Sequence, residues 1–340
     1  MKLTPGKLEA MQRLSNARGV IAAAAMDQRG ALRSPLAKAR GVKPEEITAA
    51  QMAEFKAAVT RVLTPHASAI LLDPEYGLEA ARFRASTAGL LLAYEKSGYD
   101  NTQPGRRADL LPLVSVRRLK EMGADAVKVL IYYTPVEDAA INEGKHAFVE
   151  RIGAECAALD IPFFLEFVAY DPAGGDEKGF EFAGKKPQIV AKSMAEFSQD
   201  RYGVDVLKVE IPVNLAFAEG ARCYTGPQAY SKAEALDHYR AAAAAARRPF
   251  IYLSAGVSNE QYTESLGWAA EAGVNWSGVL CGRATWKDGV PIYSREGAAA
   301  LEKWLAGEGV ANIQAVNRCL DAARPWFGFY GAKSAEALAA

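Results

Sequence analysis

The chain has few histidines, no paired cysteines, no long apolar run and no net charge, and each absence removes a class of function. Its 340 residues include only three histidines, His66, His146 and His238, with no HxH or HxxxH spacing. Metal-dependent carbonyl chemistry draws on clustered His, Cys and carboxylate ligands, so a metal-activated enolate is not expected and no metal site is assigned. All three histidines fall between the candidate strands and are read as surface or packing residues. The four cysteines, Cys156, Cys223, Cys281 and Cys319, show no CxxC spacing. With no secretory pattern in the opening MKLTPGKLEAMQRL, the expected location is the cytoplasm, with reduced thiols. Lys plus Arg and Asp plus Glu both number 40, which argues against nucleic acid or an anionic membrane as the main partner. No apolar stretch reaches the ~18 residues of a membrane span. No GxGxxG follows the first strand pattern, so the open doubly wound dinucleotide fold, the runner-up architecture, has no support.

Half of the residues are hydrophobic, and they fall into a repeating order. Short apolar runs occur at residues 19–27, 68–73, 89–94, 126–133, 162–170, 204–211, 249–255 and 277–282. Most are separated by Ala-, Glu- and Lys-rich segments of helical periodicity. The runs do not alternate cleanly with polar residues, as expected for strands buried on both faces of a parallel sheet. Eight such units predict one (β/α)₈ TIM barrel, an α/β fold spanning residues 1–340 as a single domain. The link between the second and third runs is too short for a clear helix. Residues from about 296 onward are expected to form two extra terminal helices closing the barrel.

Chemistry in such a barrel collects at the C-terminal ends of the strands, so the polar residues late in each run are the candidates. The first run ends in Asp27, Gln28 and Arg29, the second in Asp73. The fourth, fifth and sixth carry Lys128, Glu166 and Lys208 within apolar surroundings, with Glu210 two residues after Lys208 and on the same face. Adjacent strands lie ~4.8 Å apart, so the two lysines can converge. Burial and a second cation both disfavour an ammonium ion, and a neutral lysine is a nucleophile toward a carbonyl. Glu166 or Asp27 could then move the protons of carbinolamine formation and dehydration. A single buried Lys beside a Glu reads more readily as a structural ion pair; two lysines with flanking carboxylates favour catalysis. At this level either lysine could form the imine. The seventh and eighth runs end in Ser254-Ala255-Gly256 and Gly282-Arg283, where this fold commonly binds phosphate through backbone N–H groups, and Arg283 adds a bidentate fork.

The segments DQRG (27–30), LLDPEYG (71–77), LLLAYEKSGYD (90–100), GADAVKVLIYY (123–133), IPFFLE (161–166), DVLKVEIPVN (205–214), YLSAGVS (252–258) and GVLCGRATW (278–286) together resemble the class I tagatose 1,6-bisphosphate aldolase family, in order, from about residue 1 to about residue 326. The resemblance implies a Schiff-base lyase that needs no metal or cofactor and cleaves a ketohexose 1,6-bisphosphate to dihydroxyacetone phosphate and glyceraldehyde 3-phosphate, with fructose 1,6-bisphosphate as a further substrate. It implies Lys208 as the imine-forming lysine and Glu166 as general acid/base. Lys128 would be the second lysine, with Asp27 and Gln28 facing the sugar hydroxyls and the imine. Ser254, Gly256, Gly282 and Arg283 would cradle the C1 phosphate, and Arg29 is a candidate for the distal anion. A related class I aldolase acts on 6-deoxy-6-sulfofructose 1-phosphate and shares much of this site, and the strand motifs do not separate phosphate from sulfonate at that end. A non-catalytic sugar-phosphate-binding regulator is the reading of another class; it would keep the glycine cradle without needing the lysines. The expected partners are the phosphosugar and further copies of the chain, as a homo-oligomer.

Overall fold

The computed structural model describes residues 2–100 and 102–340. All eight expected strands are present: β1 (Ile21–Ala25), β2 (Ala69–Leu72), β3 (Gly89–Ala93), β4 (Ala126–Tyr132), β5 (Phe163–Val168), β6 (Val206–Val209), β7 (Phe250–Leu253) and β8 (Gly278–Cys281). They pair in sequence order into a closed barrel, with β8 returning to β1. Every pairing is parallel.

Strand side chains alternate between two faces, and here both faces are apolar for different reasons. Ile21, Ala23 and Ala25 of β1, Leu91 and Ala93 of β3, Phe164 of β5 and Val206 of β6 fill the barrel interior, together with Met11, Leu14 and Trp326. These last three close the N-terminal end: the Ser68 hydroxyl donates to the Leu14 carbonyl at 2.8 Å, and the Trp326 amide donates to the Gly19 carbonyl at 2.9 Å. The opposite parity, including Ala22, Ile70, Leu72, Val127 and Val129, packs against the helices. In the helix Ala49–Leu63, Phe55 sits edge-on to Trp286 and Tyr293 at 5.7 and 5.4 Å. Burying a side chain of this size contributes about 1.5–3 kcal/mol, so the repeat of apolar stripes drives closure.

Local signals set the helix starts. Thr48 accepts from the Gln51 amide at 3.2 Å while the Gln51 side chain accepts from the Thr48 amide at 2.9 Å, a reciprocal cap worth about 1 kcal/mol. Between β2 and β3 there is only the 3₁₀ turn Ala80–Phe83, in keeping with the short link in the sequence. The two terminal helices are a single run: Ala298–Trp304 and Val310–Cys319 are joined through the π turn Leu305–Gly309. Gly307 and Gly309 suggest a break, but the backbone widens by one residue and continues. Among the described residues no helix is long and apolar enough to cross a membrane.

Candidate active site

The inward period-2 pattern of the barrel turns polar at the C-terminal end, and there it builds one ion cluster. On β4 it runs Ala126 to Lys128, on β5 Phe164 to Glu166, and on β6 Val206 to Lys208; register places Glu166 opposite Lys208. The Lys208 Nζ lies 2.8 Å from Glu166 Oε2. The same carboxylate oxygen lies 2.8 Å from Lys128 Nζ. Lys128 is further held by Asp27 Oδ2 at 2.9 Å and Glu95 Oε1 at 2.8 Å. Lys128 is 0% and Lys208 4% exposed, so these charges interact in a low dielectric, where an unpaired charge is very costly.

The cluster pushes its members apart in acidity. Burial lowers the Lys128 ammonium, but Asp27, Glu166 and Glu95 outweigh it and hold the group well above its ordinary value. Burial raises the Glu166 and Asp27 carboxyls, but Lys128 and Lys208 outweigh it and keep both below the usual carboxylate range. Glu95 goes the other way: burial raises it, and Lys128 and Arg29 offset this only in part. Divergent carboxyls around one cation suit stepwise proton transfer.

Glu95 is the one cluster member that the sequence reading passes over. It lies just beyond β3, where LLLAY gives way to EKSGYD and reads as loop. Its signal is parity: Leu91, Ala93 and Glu95 share the inward face. Arg29, 6% exposed, donates to the Glu95 carbonyl at 2.8 Å and pairs with Glu75 at 2.8 Å. Its guanidinium is therefore engaged by protein carboxyl groups in this structure, although it lines the cleft. Gln28 lines the cleft too, and its buried Oε1 has no partner. Glu210 accepts from the Ala169 amide at 2.7 Å and pairs with Lys186, in the helix Phe180–Phe197, at 3.0 Å, so it ties the mouth of β6 to β5 and to that helix.

The cleft over this cluster has a volume of about 900 Å³, and Ser254, Gly256, Gly282 and Arg283 line it with the lysines. Gly256 adopts φ +80°, and a Cβ there would lie 2.7 Å from the Arg283 Cζ. Only glycine lets the backbone take this turn with the guanidinium packed against it. A Cβ on Gly282 would meet the Ala25 carbonyl and the Gln28 amide at 3.0 Å. The helix Asn259–Glu271, capped by Ser258, begins at the same edge. Arg283, the glycine turns and the N-terminus of a 13-residue helix are groups of the kind that suit an anion.

The histidines lie elsewhere. His146, in the helix Ala139–Ala158, is buried 3.1 Å from the Tyr133 hydroxyl, and His238 stacks edge-on with Tyr230. Among the described residues no group of three or more His, Cys, Asp or Glu is arranged to hold a metal ion.

Comparison with known proteins places the chain among aldolases. The chain is 48% identical over 332 residues to the tagatose 1,6-diphosphate aldolase of Listeria monocytogenes, covering 97% of this chain and 96% of that one. It is 52% identical over 322 residues to tagatose 1,6-diphosphate aldolase 2 of Enterococcus faecalis, covering 95% and 96%. Among solved structures it is similar to the fructose-bisphosphate aldolase of Plasmodium falciparum, with a TM-score of 0.64 at 15% identity over 93% of this chain and 96% of that one. A Schiff-base-forming fructose-1,6-bisphosphate aldolase matches with a TM-score of 0.55 at 15% identity, covering 91% and 99%; at that identity the likeness speaks for the barrel alone. The model of the DeoC/LacD family aldolases matches residues 21–288, more than half of the sequence, and the chain belongs to that family.

Proposed function

We propose that the protein is a class I aldolase that cleaves D-tagatose 1,6-bisphosphate to dihydroxyacetone phosphate and glyceraldehyde 3-phosphate through an imine on Lys208. The observation that carries this reading is the shared Glu166 oxygen, 2.8 Å from both Lys208 and Lys128. Lys128, surrounded by three carboxyl groups, stays an ammonium ion. Lys208 has Glu166 at ion-pair distance, and in this reading its amine is the nucleophile. The amine adds to the C2 carbonyl, and Glu166 shuttles protons while water leaves and the iminium forms. A carboxylate of the cluster then removes the C4 hydroxyl proton, the C3–C4 bond breaks, and its electrons flow to the iminium nitrogen. The enamine takes a proton at C3, and water releases dihydroxyacetone phosphate and regenerates Lys208. Ser254, Gly256, Gly282 and Arg283 hold the C1 phosphate in this scheme, and Asp27 and Gln28 face the reacting hydroxyls. Cytoplasmic residence belongs to the same reading, supported by four free cysteines, two of them buried.

The names of the relatives support tagatose 1,6-bisphosphate as first substrate. The test is turnover of tagatose 1,6-bisphosphate, fructose 1,6-bisphosphate and 6-deoxy-6-sulfofructose 1-phosphate, with triose phosphate release coupled to a dehydrogenase. The expected result is highest kcat/KM on tagatose bisphosphate, measurable turnover of fructose bisphosphate, and full activity in EDTA. Preference for the sulfosugar would reassign the substrate. No release from any of the three would leave only phosphosugar binding.

A further inference from the structure

Behind the cleft lies a further buried lysine that does not line it. Lys56, in the middle of the helix Ala49–Leu63, and Asp73, just past β2, are both 0% exposed. Their Nζ and Oδ2 atoms are 2.6 Å apart. The same Nζ donates to the carbonyl of Met26 at 2.6 Å and to that of Gln28 at 2.9 Å. These are the two carbonyls flanking Asp27. An ammonium group has three donors; two go to these carbonyls, and the ion pair with Asp73 balances the charge. Asp73 in turn accepts from the amides of Glu75 and Tyr76 at 3.1 and 2.8 Å, and Glu75 is the carboxylate that holds Arg29. Neither Lys56 nor Asp73 is among the residues lining the cleft.

Such a pair is a poor device for stability alone. Burial pushes Lys56 below its ordinary value, and Asp73 opposes this only in part. Replacing a buried ion pair by apolar residues of similar size is often neutral or stabilising. What an apolar pair cannot do is grip two carbonyls. Beyond β1 the chain leaves the sheet within a few residues, and there it must aim Asp27 at Lys128, 2.9 Å away, and bring Gln28 to the cleft.

We infer that Lys56 and Asp73 are a positioning pair for catalysis: by clamping the backbone on both sides of Asp27, they hold its carboxylate at Lys128 and the Gln28 amide at the cleft. The effect on turnover rests on the imine mechanism proposed above; the effect on geometry does not. The test compares Lys56→Met and Asp73→Leu with the double variant. Each single change leaves one charge buried without its partner and lowers the melting temperature. The double variant regains most of that loss, yet its kcat stays at least about tenfold below the parent protein, since displacements of about 1 Å at a reacting group carry penalties of this order or larger. KM is little changed, because the anion edge is untouched. Crystals of the double variant show Asp27 moved out of hydrogen-bond reach of Lys128. If the double variant has parental kcat at parental melting temperature, or keeps the Asp27–Lys128 contact, the pair is a fold element and the inference is overturned. Should the double variant not fold, Lys56→Gln, whose shorter amide carries two donors and no charge, is read by the same two outcomes. If the parent protein fails to turn over any sugar bisphosphate, the proposed function fails, and the crystal geometry still decides this point.

Discussion

The Nζ of Lys208 lies 2.8 Å from Oε2 of Glu166. Within the register of two adjacent strands, this one contact sets the proposed nucleophile beside the proposed proton carrier, and the second lysine converges on the same oxygen from the other side. The barrel supplies the rest: three consecutive strands, each inward-facing at the right level, with an apolar floor beneath.

Glu166→Gln keeps the size of the side chain and removes its charge. The expected result is a fall in kcat of about 10²- to 10⁴-fold, the usual range for a lost general acid/base, with a smaller change in KM. Steady-state kinetics on tagatose 1,6-bisphosphate check it. A loss under about tenfold would move the proton carrier to Asp27 or Glu95, given that general acid/base groups contribute more than this.

Lys128→Met leaves Asp27, Glu95 and Glu166 without the cation they share. Breaking a buried pair by removing one partner costs about 3–5 kcal/mol. Urea unfolding should show a destabilisation in that range. A stability equal to that of the parent protein would mean that the carboxyl groups are neutral in the folded chain, contrary to the directions found for Asp27 and Glu166.

The pH dependence follows from those directions. Asp27 and Glu166 sit below their ordinary values of 3.8 and 4.5. In acid the unfolded chain therefore takes up protons at these sites before the folded chain does, and stability falls as pH falls. The contribution is complete above the ordinary values and is lost as pH drops through the depressed ones. The stability advantage of the parent over Asp27→Asn should thus be largest near neutrality and shrink steadily below about pH 4, where an ordinary aspartate begins to titrate. Glu95, shifted the other way, is present in both proteins and cancels to first order. Unfolding free energies at a series of pH values measure this; an advantage independent of pH would contradict it.

Gly256→Ala tests the anion edge. The added Cβ would lie 2.7 Å from Arg283 Cζ at a backbone angle of φ +80°, so the guanidinium must move. Loss of a charge-assisted contact costs about 1.5–3 kcal/mol, or about 10- to 100-fold in affinity. KM should rise by that order, with imine formation on Lys208 still detectable. An unchanged KM would place the phosphate elsewhere.

The sequence is legible where one residue type in one local pattern has one meaning. Strands such as VDVLKVEI, buried on both faces, mark themselves by apolar runs without alternation, and a lysine or glutamate inside one stands out; all eight strands and both lysines of the ion cluster are visible that way. Glu95 hides because it follows its strand inside a polar segment, where only parity distinguishes it. Lys56 hides more completely. In AAQMAEFKAAVTRVL it looks like any charged helix residue, and its burial depends on Asp73 and on two carbonyls of the β1 end, contacts that no local pattern encodes. The capacity of Arg29 to bind an anion can be read from its type, but its pairing with Glu75 and Glu95 depends on how three separate loops meet.

The central claim is that Lys208 forms the imine. Borohydride reduction in the presence of dihydroxyacetone phosphate, followed by peptide mass spectrometry, reads it directly. A reduced adduct is expected on the peptide carrying Lys208, and none on Lys208→Met. An adduct on Lys128, or undiminished labelling of Lys208→Met, would contradict it.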